Sequence, residues 1–196
     1  KLSQENGIAT RPEQVLICNG GKQAIYNLFQ VVLNPGDEVL LPSPYWLSYP
    51  EMAALAGAST VLIPSSASDG FKLDLDGLEA RITPKSRLLV INSPGNPTGR
   101  VMQRQDIEAL AELVARHPNL LVMSDEIYEY LLADGEQHIS FASVSETLKD
   151  RCFTVNGFAK GWAMTGWRLG YLAGNATVIK AASALQSQST SNVCSF

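Results

Sequence analysis

Charge is scarce in this sequence. Only 17% of its 196 residues are charged, against roughly 25% in an ordinary soluble domain. That is too little to coat the whole of a free surface, so a sizeable buried interface is expected. Fifteen basic residues against nineteen acidic ones leave a formal charge of −4, which gives no ground for nucleic-acid or anionic-membrane binding. Cysteine and histidine are scarcer still. The three cysteines, Cys18, Cys152 and Cys194, form no C-x-x-C pair, which argues against a disulfide framework or zinc site and for a reducing, cytoplasmic compartment. Two histidines, His117 and His138, are too few for a multi-histidine metal centre. No apolar run reaches the ~18 residues of a membrane span, and no signal peptide is recognisable. Hydrophobic residues are plentiful: at 45% they exclude a disordered chain, and the length fits one large domain or two small ones. The polar opening at Lys1 and the close without a stop pattern lead us to expect that both ends are cuts within a longer chain.

Short apolar runs alternate with helical patterns. Strands are expected over Gln14–Cys18, Glu38–Leu41, Ser59–Ile63, Arg87–Asn92, Leu120–Ser124, Cys152–Val155 and Leu169–Ala173. Helices are expected over Lys22–Leu33, Tyr49–Gly57, Leu75–Ile82, Arg104–Arg116 and Thr177–Gln186. This alternation implies an α/β fold of βαβ units, with a mostly parallel sheet covered on both faces. Ligands bind beyond the carboxyl ends of such strands, so chemistry belongs just after each apolar run.

Four constellations lie there. Gly20-Gly21-Lys22-Gln23 follows the first strand and opens a helix, whose free N–H groups and dipole suit a phosphate. It is neither a Walker A loop nor a dinucleotide fingerprint, and an ordinary strand-to-helix turn would look the same. Asn92-Ser93-Pro94-Gly95-Asn96-Pro97-Thr98-Gly99 is a stiff loop presenting the Asn96 amide, suited to fixing a planar polar ligand. Asp125-Glu126-Ile127-Tyr128 puts a carboxylate just past an apolar strand, costly to bury unless it meets a cation or strong donor. Asp125 is either a helix cap or the partner of a protonated nitrogen; Glu126 is expected to face solvent, and Tyr128 either joins the core or lends a hydroxyl to the same ligand. Finally, Lys160 and Arg168 stand among tryptophans and glycines, in a stretch with no acid from Cys152 onward. Buried there, they would call for an anion or a covalent partner, and desolvation would make the lysine a nucleophile towards carbonyls. The plain alternative is two snorkelling surface cations.

Together the four describe one ligand, with a phosphate (Gly20, Gly21, Lys22, Arg168), an aldehyde (Lys160), a basic ring nitrogen (Asp125) and a ring oxygen (Asn96, Tyr128). Pyridoxal 5'-phosphate (PLP) matches each part.

In these motifs, and in Pro44-Tyr45-Trp46, the sequence resembles the class I aminotransferases of fold type I, in particular the bacterial aspartate aminotransferase branch. The resemblance implies a three-layer α/β/α PLP-transferase large domain with a mostly parallel, mixed sheet, spanning residues 1–196 and incomplete. It implies that Lys160 forms a Schiff base with the cofactor and shuttles a proton, that Asp125 keeps the ring nitrogen protonated, and that Asn96 and Tyr128 bond the ring hydroxyl oxygen. Trp46 would stack on the ring and, with Asn96, border the substrate, although Tyr45 beside it could fill that slot. Gly20, Gly21, Lys22 and Arg168 would hold the phosphate. The implied reaction moves an amino group between an amino acid such as aspartate and a 2-keto acid, in a cytoplasmic homodimer.

Departures accompany the resemblance. Gly157 stands where many relatives carry a phosphate-binding serine. The family's N-terminal segment, with a tyrosine donated across the dimer, and its small C-terminal domain, with the substrate-carboxylate arginine, have no counterpart in these residues, so the chain alone is expected to be inactive or severely impaired. Two other readings share the cofactor: a C–S lyase or other β-eliminating enzyme of the same fold, and a PLP-sensing domain of a transcription regulator. A basic helix-turn-helix segment would mark the last, and Lys1–Arg11 has none.

Overall fold

The computed structural model describes residues 1–195. Seven strands, β1 (Val15–Cys18), β2 (Glu38–Ser43), β3 (Ser59–Pro64), β4 (Ser86–Asn92), β5 (Leu121–Asp125), β6 (Cys152–Gly157) and β7 (Gly170–Ala173), form one sheet in the order β1-β7-β6-β5-β4-β2-β3. β7 runs antiparallel to both its neighbours and the remaining pairs are parallel. All seven expected strands are present. Several run one or two residues further towards the carboxyl end than the apolar runs alone indicate, because ladder pairing continues through polar residues such as Asp125 and Asn156.

Alternation along the central strands explains the layers. Val39, Leu41, Leu88 and Val90 face a core shared with α2 (Gly21–Val32), α3 (Ser48–Leu55) and α6 (Ala176–Ser187), while Leu40, Leu89 and Ile91 face a second core against α4 (Leu75–Glu79) and α5 (Arg104–Ala115). Side chains one residue apart on a strand point to opposite faces, so near-continuous apolar runs fill both cores and give the three-layer α/β/α arrangement. The α4 helix ends at Glu79, short of the expected Ile82, in a turn closed by Arg81 N–H on the Leu78 carbonyl. The sequence pattern does not reveal α1 (Leu2–Glu5), which is too short to show a period. No helix among the described residues is long and apolar enough to cross a membrane.

From β2 the chain moves outward to β3 at the sheet edge, whereas from β4 it moves the other way to β5. Connections that leave in opposite directions open a crevice at the carboxyl ends of β2 and β4, the place where sheets of this type take their ligands.

Candidate active site

A cleft of about 290 Å³ occupies that crevice, bounded by the start of α2, the loop after β2, the ends of β4 and β5, and the loop between β6 and β7. It brings together Gly21, Lys22, Trp46, Asn96, Asp125, Tyr128, Lys160 and Arg168, residues scattered over nearly the whole sequence. Gly20 lies one residue behind the wall, as the N-cap of α2. Trp46 lines this cleft, while Tyr45 lines a smaller neighbouring cavity.

The floor is a hydrogen-bonded frame. Asn92 and Asp125 end neighbouring strands and pair in register. The Asn92 side-chain amide donates to the Asp125 carbonyl (2.8 Å), and its oxygen accepts from the Asn96 N–H (2.7 Å). One side chain thus ties the loop after β4 to the end of β5. Asn96 in turn donates to the Tyr128 hydroxyl at 3.4 Å. Asp125 is 4% exposed. Its Oδ2 accepts from the Tyr49 hydroxyl (2.7 Å) and its Oδ1 from the Ile127 N–H (3.3 Å), and among the described residues no cation pairs with it. Burial pushes the Asp125 carboxyl up to about 6, with the neighbouring Glu126 charge adding to the rise, while the bonds from Tyr49 and Ile127 pull it down. The Tyr49 hydroxyl is held well above its ordinary value, first by burial and then by the Asp125 charge. It is therefore a donor at any working pH.

The rim is different. Lys22, Lys160 and Arg168 are exposed, which corrects the expectation that the last two are buried among apolar neighbours. An acid-free stretch of sequence says nothing about whether water reaches it. Lys160 Nζ lies 5.7 Å from the centre of the Tyr128 ring, and Lys22 Nζ 5.0 Å from that of Trp46. Both are cation–π contacts between residues that line the cleft. Arg168 donates to the carbonyls of Thr165 (3.0 Å) and Asn19 (3.4 Å). Ala163 and Arg168 both adopt left-handed backbone (each φ 53°), an unfavourable conformation for non-glycine residues that concentrates at functional loops.

Glycine is required at two positions. A Cβ at Gly20, itself left-handed at φ 82°, would lie 2.4 Å from Arg168 Nη2. The bare backbone lets the guanidinium come against the uncapped start of α2. At Gly157 a Cβ would lie 2.7 Å from the Leu169 carbonyl, so the close approach of β6 to the start of β7 leaves no room for a serine.

Glu126 is a second correction. It is 1% exposed and turned away from solvent. Its Oε1 accepts from Ser124 (2.8 Å), Ser140 (2.7 Å) and the Phe141 N–H (3.3 Å), and its Oε2 faces His138 Nε2 at 3.1 Å. Its environment anchors the turn that carries Asp125 and Tyr128. Tyr49 and Asn92 are the framing residues that sequence reasoning left unassigned. Asn92 heads a motif whose turn chemistry drew notice, whereas Tyr49 offered only an aromatic three residues past Trp46.

The chemistry of this donor set fits PLP. A buried carboxylate without a cation suits a protonated ring nitrogen, an amide and a phenol stand together for a ring oxygen, and an amine faces them. An arginine beside an uncapped helix start suits a phosphate.

A bifunctional aspartate aminotransferase and glutamate/aspartate-prephenate aminotransferase of Petunia hybrida is 54% identical over 196 residues, covering 100% of this chain and 41% of the relative. A probable aspartate/prephenate aminotransferase of Rickettsia bellii is 48% identical, covering 100% and 49%. Among solved structures, Thermus thermophilus aspartate aminotransferase with maleate superposes with a TM-score of 0.94 at 47% identity, over 98% of this chain and 49% of that one. The chain thus spans about half the length of these relatives. A family model described as aminotransferase class I and II matches residues 1–196, and with the sheet, the cleft and the identity all in agreement, the chain belongs to that family.

Proposed function

We propose that this chain is the PLP-binding large domain of a longer aminotransferase, one that moves an amino group between an amino acid and a 2-keto acid. The observation that carries the reading is the buried, cation-free Asp125 facing the same cleft as Lys160, Asn96, Tyr128 and Arg168. When bound, PLP supplies the electron sink that makes the Cα–H bond of an amino acid acidic.

The protein's own groups divide the remaining work. Asp125 would be held ionised by the ring nitrogen it keeps protonated, which offsets the cost of its burial. Asn96 and Tyr128 would fix the ring hydroxyl oxygen, and Trp46 would cover the ring face and, with Asn96, border the substrate. Gly20, Gly21, Lys22 and Arg168 would hold the phosphate. Lys160 would hold the cofactor's aldehyde end through its Nζ, and the same amine would be placed to hold and move the Cα proton, the base that the reaction needs close to its reacting atom. The relatives' names favour aspartate as amino donor and prephenate among the 2-keto acids, and the maleate of the Thermus thermophilus structure is, like aspartate, a four-carbon dicarboxylate. A homodimer would supply the cross-subunit tyrosine, and the remainder of a full-length chain the substrate-carboxylate arginine. Cytoplasmic residence accords with three unpaired cysteines, two of them buried.

Borohydride reduction of the PLP-loaded full-length protein, followed by peptide mapping, tests the assignment. A pyridoxyl group on Lys160, together with aspartate-dependent transamination, is the expected result. Labelling elsewhere with Lys160 untouched overturns it, and pyruvate with ammonia as products would favour the lyase reading.

A further inference from the structure

The Tyr49 hydroxyl is buried, and its one recorded hydrogen bond goes to Asp125. Tyr49 is 2% exposed, in the first turn of α3, and packs in the core on that face of the sheet. If packing were its whole purpose, phenylalanine would fill the same space without a polar atom to satisfy. Instead the hydroxyl lies 2.7 Å from Asp125 Oδ2. Its ring also meets the Trp46 ring edge-on, with centroids 5.3 Å apart and planes at 85°. One side chain therefore touches both the carboxylate on the cleft floor and the indole on the cleft wall.

We propose that Tyr49 is a positioning residue that orients the Asp125 carboxylate towards a protonated ring nitrogen and ties it to Trp46; this rests on the PLP reading above. A carboxylate offers about four acceptor sites. Tyr49 takes one on Oδ2 and the Ile127 N–H one on Oδ1. The rotation of the group is thereby fixed and both oxygens retain capacity for a cationic N–H. A phenol that donates to a carboxylate favours the charged form, so the bond also prepares the ionised state that a ring cation needs. Losing the hydroxyl frees the carboxylate to rotate and raises the cost of keeping it charged.

The test uses the full-length protein and two probes, PLP and an analogue in which carbon replaces the ring nitrogen. Tyr49→Phe keeps the ring and its packing. It should raise the dissociation constant for PLP about tenfold, the worth of one charge-assisted hydrogen bond, and leave that of the analogue within about twofold. Adding Tyr49→Phe to Asp125→Asn should change neither constant further, because the two act through one group. Equal weakening of both probes would show a merely structural role, and no weakening of either would show no role; each overturns the inference. If Asp125→Asn itself leaves the preference for PLP over the analogue intact, the PLP reading fails. If Asp125→Asn abolishes that preference and Tyr49→Phe does not, only the role of Tyr49 fails.

Discussion

On the floor of the cleft, Asp125 and Tyr49 are 4% and 2% exposed and bonded to one another. On the rim, Lys160 and Arg168 are exposed, and the tryptophans of the same loop, Trp162 and Trp167, are each 45% exposed. The floor carries an unneutralised carboxylate locked in place, and the rim carries cations held by carbonyls and ring faces. A preformed floor needs no reorganisation when charge develops above it. An open rim leaves its cations to be completed by ligand and covering chain. Substitutions on the rim should therefore remove function at little cost to the fold, and substitutions on the floor should change both.

Lys160→Ala separates the two most sharply. Turnover by the full-length protein should fall at least about a thousandfold with the nucleophilic amine gone, while stability of the cofactor-free protein, measured by urea unfolding, should stay within about 0.5 kcal/mol because the side chain is exposed. A large loss of stability would erase the distinction between rim and floor.

Glu126→Gln works in the opposite sense. This carboxylate accepts three hydrogen bonds and faces His138 without entering the cleft. Removing its charge should cost on the order of 2–3 kcal/mol of stability, read by the same unfolding experiment, and disturb PLP binding only through the turn it supports.

The pH dependence of the cofactor-free protein reports on the floor alone. Burial lifts Asp125 from 3.8 to about 6. Between those values the folded state holds a proton that the unfolded chain releases, so stability should fall as pH rises through that window. The full cost above pH 6 is on the order of 3 kcal/mol. Comparing unfolding of wild type and Asp125→Asn from pH 4 to 7 isolates it, and identical pH slopes would contradict the account.

Arg168→Ala is the mildest. Loss of one charge-assisted phosphate contact should weaken PLP binding about tenfold, measured by equilibrium dialysis, with little change in the stability of the cofactor-free protein.

The sequence made the strands legible because both faces of the sheet are covered, so Leu88–Ile91 and Val39–Leu41 read as unbroken apolar runs. Lys160, Asp125 and Asn96 were legible as punctuation after such runs, and the cleft does unite them. Burial was harder to read. Glu126 directly follows β5, and nothing in the local pattern shows that Ser124, Ser140 and the Phe141 N–H bond its carboxylate. The Tyr49–Asp125 bond spans 76 residues, so no local pattern announces it. Exposure of Lys160 likewise depends on how a loop sits above the sheet, which composition does not encode.

On the proposed function, the floor carboxylate would receive its missing cation from the PLP ring. The most direct test of this is to unfold wild type and Asp125→Asn at pH 7, each with and without saturating PLP. Without PLP the asparagine variant should be the more stable, because it escapes the cost of a buried unpaired charge, and PLP should stabilise the wild type by more than the variant. A wild type that is the more stable without PLP, or an equal gain for both proteins on adding it, would contradict the account.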